Sequence, residues 1–284
     1  MLFGLQIFAC RRETRTCFAV IIALVALVST SVDAAPVPVR FLEGITHGFL
    51  LVRSLAGETI GHGELTQVVT EGDLVESHLV FNFKDGSLHD EKATFSQQSV
   101  FTLIRYHLIQ RGPSFPDQID VAIDRSTAEF TVRSPAGEEG KEKLVTGPFD
   151  LPTDVYNGML ITVLLNLPKG ASETLSFLAF TPTPEVIKLE LHLLGEHTVR
   201  IDDLSRTALH YVFKPKIGMI RKFFGRVYGK LPADFHYDCW ILAEAVPSFV
   251  QFKGPLQLMG PVVRIELVSP RLPTMPEDKK SSSK

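Results

Sequence analysis

The sequence predicts a mainly β fold, a strongly curved antiparallel sheet of half-barrel or clam-like form packed on one or two helices. Three observations carry this. From Gly48 onward apolar and polar residues alternate with a period of two over most of the chain, as in strands with one dry and one wet face. Turn-forming residues interrupt the alternation at short intervals. One stretch, FDLPTDVYNGMLITVLLNLP, carries apolar residues at helical spacing instead.

The elements follow in chain order. HGFLLVRS and ETIGHGELTQVVT flank LAGE, and LVESHLVFNF joins SLHDEKATFSQ across KDG, which is hairpin turn chemistry. In LVESHLVFNF, Leu79, Phe81 and Phe83 share one face, and His78, Val80, Asn82 and Lys84 share the other. Gly61 and Gly63 sit inside a strand pattern and mark a bulge or a close backbone approach. SVFTLIRYHLIQ, DQIDVAID and TAEFTVRS complete an antiparallel meander from Phe49 to Arg133. Residues 134–148 are rich in Gly, Pro, Glu and Lys and read as an exposed loop that could divide two subdomains.

The helix is expected between Tyr156 and Asn166, with Val155, Met159, Leu160, Val163 and Leu164 on its apolar side. Asp150 or Thr153 is available as its cap, Pro168 stops it, and three or four turns fit. Strands resume with SETLSFLAF, EVIKLELHLLGEHTVRI and RTALHYVFKP; Ile187, Leu189, Leu191 and Leu193 alternate with Lys188, Glu190 and His192. In the closing segment Phe235, Tyr237, Cys239 and Ile241 lie opposite His236, Asp238, Trp240 and Leu242, and a last strand carries Val263, Ile265 and Leu267 on one side.

The ends read differently. Arg11, Arg12 and Arg15 precede the apolar run FAVIIALVALVSTSV, and Val32 and Ala34 are the small residues of a cleavage site. Residues 1–34 therefore read as a secretory signal peptide cut before Ala35, an apolar core too short to span a bilayer as a helix. A single β-rich domain over 35–268 and a disordered tail over 269–284 are expected. Processing would leave Cys239 as the single thiol, so the fold depends on its core rather than on an internal disulfide. It would take three basic and two acidic residues out of 29 and 32, for a net charge of −4. That balance, with export to the periplasm or envelope, excludes nucleic acid as a partner.

The run from Lys214-Pro215 through GKLP, Trp240, Pro247, FKGPL and GPVVRIEL, behind a signal peptide and a β meander, resembles a family of exported bacterial proteins of unknown function. The resemblance implies a curved antiparallel sheet like the half-barrel of periplasmic lipoprotein carriers. It implies no catalytic residues.

Motifs that would carry chemistry are missing. No G-x-S-x-G elbow, phosphate loop, H-E-x-x-H or C-x-x-C spacing occurs. His62 and Glu64 share a strand face and His192 with Glu196 could share another, but each pair reads as solvent-facing strand residues rather than metal ligands. Cys239 reads as buried and structural, with His236 on the opposite strand face. Asp117, Asp120 and Asp124 lack a calcium-loop pattern and read as turn and surface residues. No cofactor, metal or enzyme activity is expected.

The expected activity is binding or carriage of an apolar or lipid-like ligand, with Phe81, Phe83, Leu189, Leu191 and Phe213 on the apolar sheet face as candidate lining. The basic stretch KPKIGMIRKFFGRVYGKLP offers Arg221, Lys222 and Arg226 as contacts for an anionic envelope surface, although its three glycines weaken a regular helix. Two alternatives stand beside this reading: an envelope assembly factor that uses the basic segment or strand edges, and a hydrolase whose site has no local motif.

Overall fold

A computed structural model describes residues 36–134, 142–180, 183–201, 204–216, 235–257 and 260–268. Among them fourteen strands form one antiparallel sheet: β1 Thr46–Arg53, β2 Thr59–Val69, β3 Leu74–Phe83, β4 Leu88–Gln97, β5 Phe101–Arg111, β6 Ile119–Asp124, β7 Glu129–Ser134, β8 Lys143–Pro148, β9 Glu173–Phe180, β10 Pro184–Ile201, β11 Leu204–Pro215, β12 Tyr237–Leu242, β13 Phe249–Pro255 and β14 Val262–Val268. A single described helix, α1, spans Leu160–Asn166. No described helix is long and apolar enough to cross a membrane.

The strand order is β8-β7-β6-β5-β4-β3-β2-β1-β14-β13-β12-β11-β10-β9, so the sheet is not closed. Every sequential neighbour pairs except β8 with β9, which form the two ends, while β1 pairs with β14 in the middle. The final strand therefore joins the two β runs rather than finishing an edge. The candidate boundary at 134–148 falls on the β7–β8 hairpin, whose strands pair from Glu129–Pro148 to Ser134–Lys143; residues 135–141 are outside the described set.

The connection from β8 to β9 has to travel between opposite ends of the sheet. Those ends are thirteen strand spacings apart, about 62 Å if the sheet were flat. The sheet curves instead, and the connection crosses its concave side carrying α1. Val163, Leu164 and Leu167 join Phe95, Phe101, Leu103, Val121, Leu175, Leu191 and Phe213 in one continuous core. A second cluster, Leu50, Val52, Phe81, Phe83, Phe115, Val263 and Ile265, fills the middle of the sheet where β1 and β14 meet.

Polar bonds hold the crossing segment. Val155 bridges Ser176 in parallel, and the Tyr156 N–H donates to the Ser176 carbonyl at 3.0 Å. The Asn157 side chain accepts from the Leu178 N–H at 2.7 Å and donates to its carbonyl at 3.1 Å. These contacts satisfy backbone groups on the free edge of β9 that would otherwise invite strand addition. At the other end Asn166 Oδ1 accepts from the Arg40 and Phe41 N–H groups, and the Tyr156 hydroxyl accepts from the Val37 N–H. Residues 37–41 thus strap α1 to the β4–β5 rim, where Val39 and Phe101 donate to Ser99 and Val37 carbonyls.

The helix is shorter than its sequence pattern implies. Gly158 adopts φ 68° and Asn157 is committed to β9, so helical geometry begins only after Met159. Asp150 and Thr153 do not cap it; the N-cap is Met159 with no side-chain bond, and neighbouring Asp154 instead accepts from Ser176 Oγ at 2.6 Å. Two turns of this length are marginal in isolation, so α1 depends on burial of Val163 and Leu164 and on its straps.

Candidate ligand cavity

A cavity of about 360 Å³ lies between the concave sheet face and the N-terminal part of the helical segment, where the two cores meet. Its walls come from both halves of the sheet: Leu65 and Leu79 from β2 and β3, Leu108 from β5, Phe177 and Phe180 from β9, Ile187 and Leu189 from β10, Phe213 from β11 and Phe252 from β13. Met159, Leu160 and Ile161 form the helical wall.

Glycines make room for this lining. Gly61 and Gly63 on β2 face Phe83 and Phe81 across the β2–β3 ladder. A side chain at Gly63 would collide with the Phe81 ring and the Val80 carbonyl. The GHG pattern is therefore a close approach, with two aromatic rings lying over bare backbone.

The cavity wall also carries polar groups, several of them engaged with one another. Gln67 Nε2 donates to Thr162 Oγ1 at 3.0 Å, tying β2 to α1. The Tyr106 hydroxyl donates to Glu91 Oε1 at 2.7 Å. Burial raises the Glu91 carboxyl above its ordinary range, an effect the Tyr106 bond opposes. Burial and the Glu91 charge together hold the Tyr106 phenol well above its ordinary value.

Gln110 Nε2 donates to the Leu256 carbonyl at 2.8 Å and lies 3.0 Å from His89 Nδ1. A carbonyl only accepts, which identifies the amide nitrogen and makes Nδ1 an acceptor. His89 is then neutral with its proton on Nε2, an atom that is buried without a hydrogen-bond partner among the described residues. Desolvation lowers the His89 pKa to about 4, in keeping with that neutral state. The ring sits between Phe81 and Phe115, with centroid distances of 5.6 and 6.2 Å.

The five residues singled out on the apolar face are all buried. Phe81, Leu189 and Phe213 border the cavity. Phe83 packs edge-on against Phe115 at 5.5 Å, and Leu191 lies within the main core. Arg221, Lys222 and Arg226 lie outside the described residues, as do residues 1–34 and the 269–284 tail. The pattern missed Glu91 and Tyr106. In LHDEKATFSQ, His89 and Glu91 share the inward parity of Ala93 and Phe95, a signal of polar groups aimed at the core.

Outside the cavity the titratable residues form surface pairs. His78 bonds Asp90 and His107 bonds Asp120, both at 2.8 Å. Asp124 accepts from Ser126 in a turn. Glu64 pairs with His47 at 3.2 Å rather than with its strand neighbour His62. His192 and Glu196 do not share a face: a bulge between Leu193 and Gly195 inverts the alternation, and Glu196 pairs with Lys169 at 2.7 Å. Asp238, on the strand face opposite Cys239, is buried beneath His210, His236 and Lys253 at 2.7, 3.3 and 3.5 Å. Cys239 points the other way into the core, where desolvation raises its thiol pKa. No described group of His, Cys, Asp and Glu converges as a metal site.

No family model, curated protein or solved structure matches this chain.

Proposed function

We propose that the protein binds and carries an apolar or lipid-like ligand in the cavity between sheet and helix, working in the periplasm or envelope without bond-making chemistry of its own. The observation that carries this reading is the cavity itself. It falls in the roughly 300–1,000 Å³ range of small-molecule sites, and like them it combines apolar walls with a few fixed polar groups. Filling such a space with apolar side chains would normally stabilise a core, so a cavity kept between two well-packed clusters is suited to a ligand. The signal-like pattern of residues 1–34 supports the compartment.

The test is extraction of the purified protein with organic solvent, followed by mass spectrometry of the extract. A lipid or other amphiphile recovered in proportion to protein supports the carrier reading. Protein that comes repeatedly empty from cells able to supply such molecules, and takes up none from mixed vesicles, overturns it.

A further inference from the structure

The cavity is charged unevenly. Glu91 and Asp117 border it, and among the described residues no lysine or arginine does. Tyr106 occupies only Oε1 of Glu91, leaving Oε2 with no hydrogen bond among the described residues. Glu91 is enclosed by protein but retains accessible surface, which faces the cavity. Gly158 fixes this geometry from the helical side. Its backbone runs so close that a Cβ there would lie 2.7 Å from the Cβ of Ala93 and 3.7 Å from Glu91 Cγ.

An anionic head group would enter this space beside the Glu91 carboxyl, with no cation among the described lining residues to offset its charge. A head that donates a hydrogen bond meets the open oxygen of Glu91 instead. The space suits one chain: at the roughly 30 Å³ that a water takes up, the cavity has room for about a dozen groups of methylene size.

We propose that the cavity selects single-chain amphiphiles by their head group, seating an amine or hydroxyl donor on Glu91 and rejecting carboxylate and phosphate heads. This rests on the cavity being a ligand site, and it names the ligand class. Tyr106 is a positioning residue, holding Glu91 by one oxygen so that the other stays presented. Asn157, whose side chain is fixed on the Leu178 backbone, and Gly158 set the facing wall.

The experiment titrates the full chain with dodecylamine, dodecanol and dodecanoate, each below its micelle concentration at neutral pH, with heat of binding as the readout. Amine and alcohol should saturate at one per chain, with dodecanoate at least tenfold weaker. A tighter amine identifies ammonium recognition, and equal affinities identify the shared donor; both support the proposal. Glu91→Gln, nearly isosteric, should narrow the gap between amine and carboxylate. Dodecanoate binding as tightly as the other two overturns head-group selection but leaves the carrier reading standing. Failure of all three to bind overturns the carrier reading itself. The comparison among ligands on the unaltered chain remains decisive even if the variant folds poorly.

Discussion

Tyr106 of β5 stacks on Phe180 of β9 with ring planes 4° apart and centroids separated by 6.2 Å. The two strands are ten positions apart in the sheet, about 48 Å if it were flat. This pair therefore marks where the sheet's curvature brings its two arms together over the cavity. Phe180→Ala should lower stability by about 2 kcal/mol, since a partly buried ring and its stacking contact with Tyr106 are lost together. Tyr106→Phe keeps the ring but leaves the Glu91 carboxyl without its donor, at a cost of about 1–3 kcal/mol. Denaturant midpoints for both variants check these values.

Gly63 tests how tightly the lining is built. Gly63→Val forces a side chain into the Phe81 ring and the Val80 carbonyl, and overpacking of this kind costs about 1–3 kcal/mol. Gly44 has open space around its Cβ position, so Gly44→Ala should leave the thermal midpoint nearly unchanged. Equal midpoints for the two variants would contradict the close approach of β2 and β3.

Much of the fold was legible because period-two alternation is a direct imprint of a half-buried sheet. The two faces of LVESHLVFNF, the KDG hairpin and the apolar run of Leu189 and Leu191 all follow from it. Where reading failed, the cause was a local break in that period. Leu103 pairs with Phe95 and Arg105 with Thr94, so Ile104 is an extra residue on β5. Extending the inward parity of Phe101 and Leu103 across that bulge would turn Arg105 inward and hide Tyr106, a central cavity residue. The bulge at Leu193–Gly195 misplaced Glu196 in the same way. The helix is shorter than the apolar spacing suggests because Val155, apolar at helical spacing, serves β9. The cavity itself depends on strands far apart in the order, which no local pattern encodes.

His89 gives a pH signature. Its pKa is lowered to about 4 in the folded protein, against about 6.5 in an unfolded chain. Between those values the unfolded state binds more protons, so the stability contributed by neutral His89 is complete above pH 6.5 and lost as the pH falls toward 4. The full span corresponds to about 3 kcal/mol. Glu91 acts with the opposite sign: its raised pKa means that stability falls as pH rises from the ordinary carboxylate range through the folded value. His89→Leu should flatten the decline in melting temperature from pH 6.5 to 4. An unchanged decline would show that His89 is not buried neutral.

Cys239 lies in the core with its pKa raised by burial, so little thiolate forms at neutral pH. Ellman's reagent should leave it unmodified in the folded protein and label it completely in denaturant. Rapid labelling of the folded chain would contradict the inward orientation of this position on β12.

The proposed carrier role requires that the space under α1 take up a ligand. Ile161 borders that space from the helix and is only partly buried, so Ile161→Trp should fill it while leaving the fold intact. The most direct measurement is a calorimetric titration of the wild-type chain and Ile161→Trp with dodecylamine, with melting curves confirming that both are folded. Saturation at one ligand per wild-type chain, and loss of binding in the variant, is the predicted result. Equal binding to both chains would place the ligand elsewhere and contradict the account.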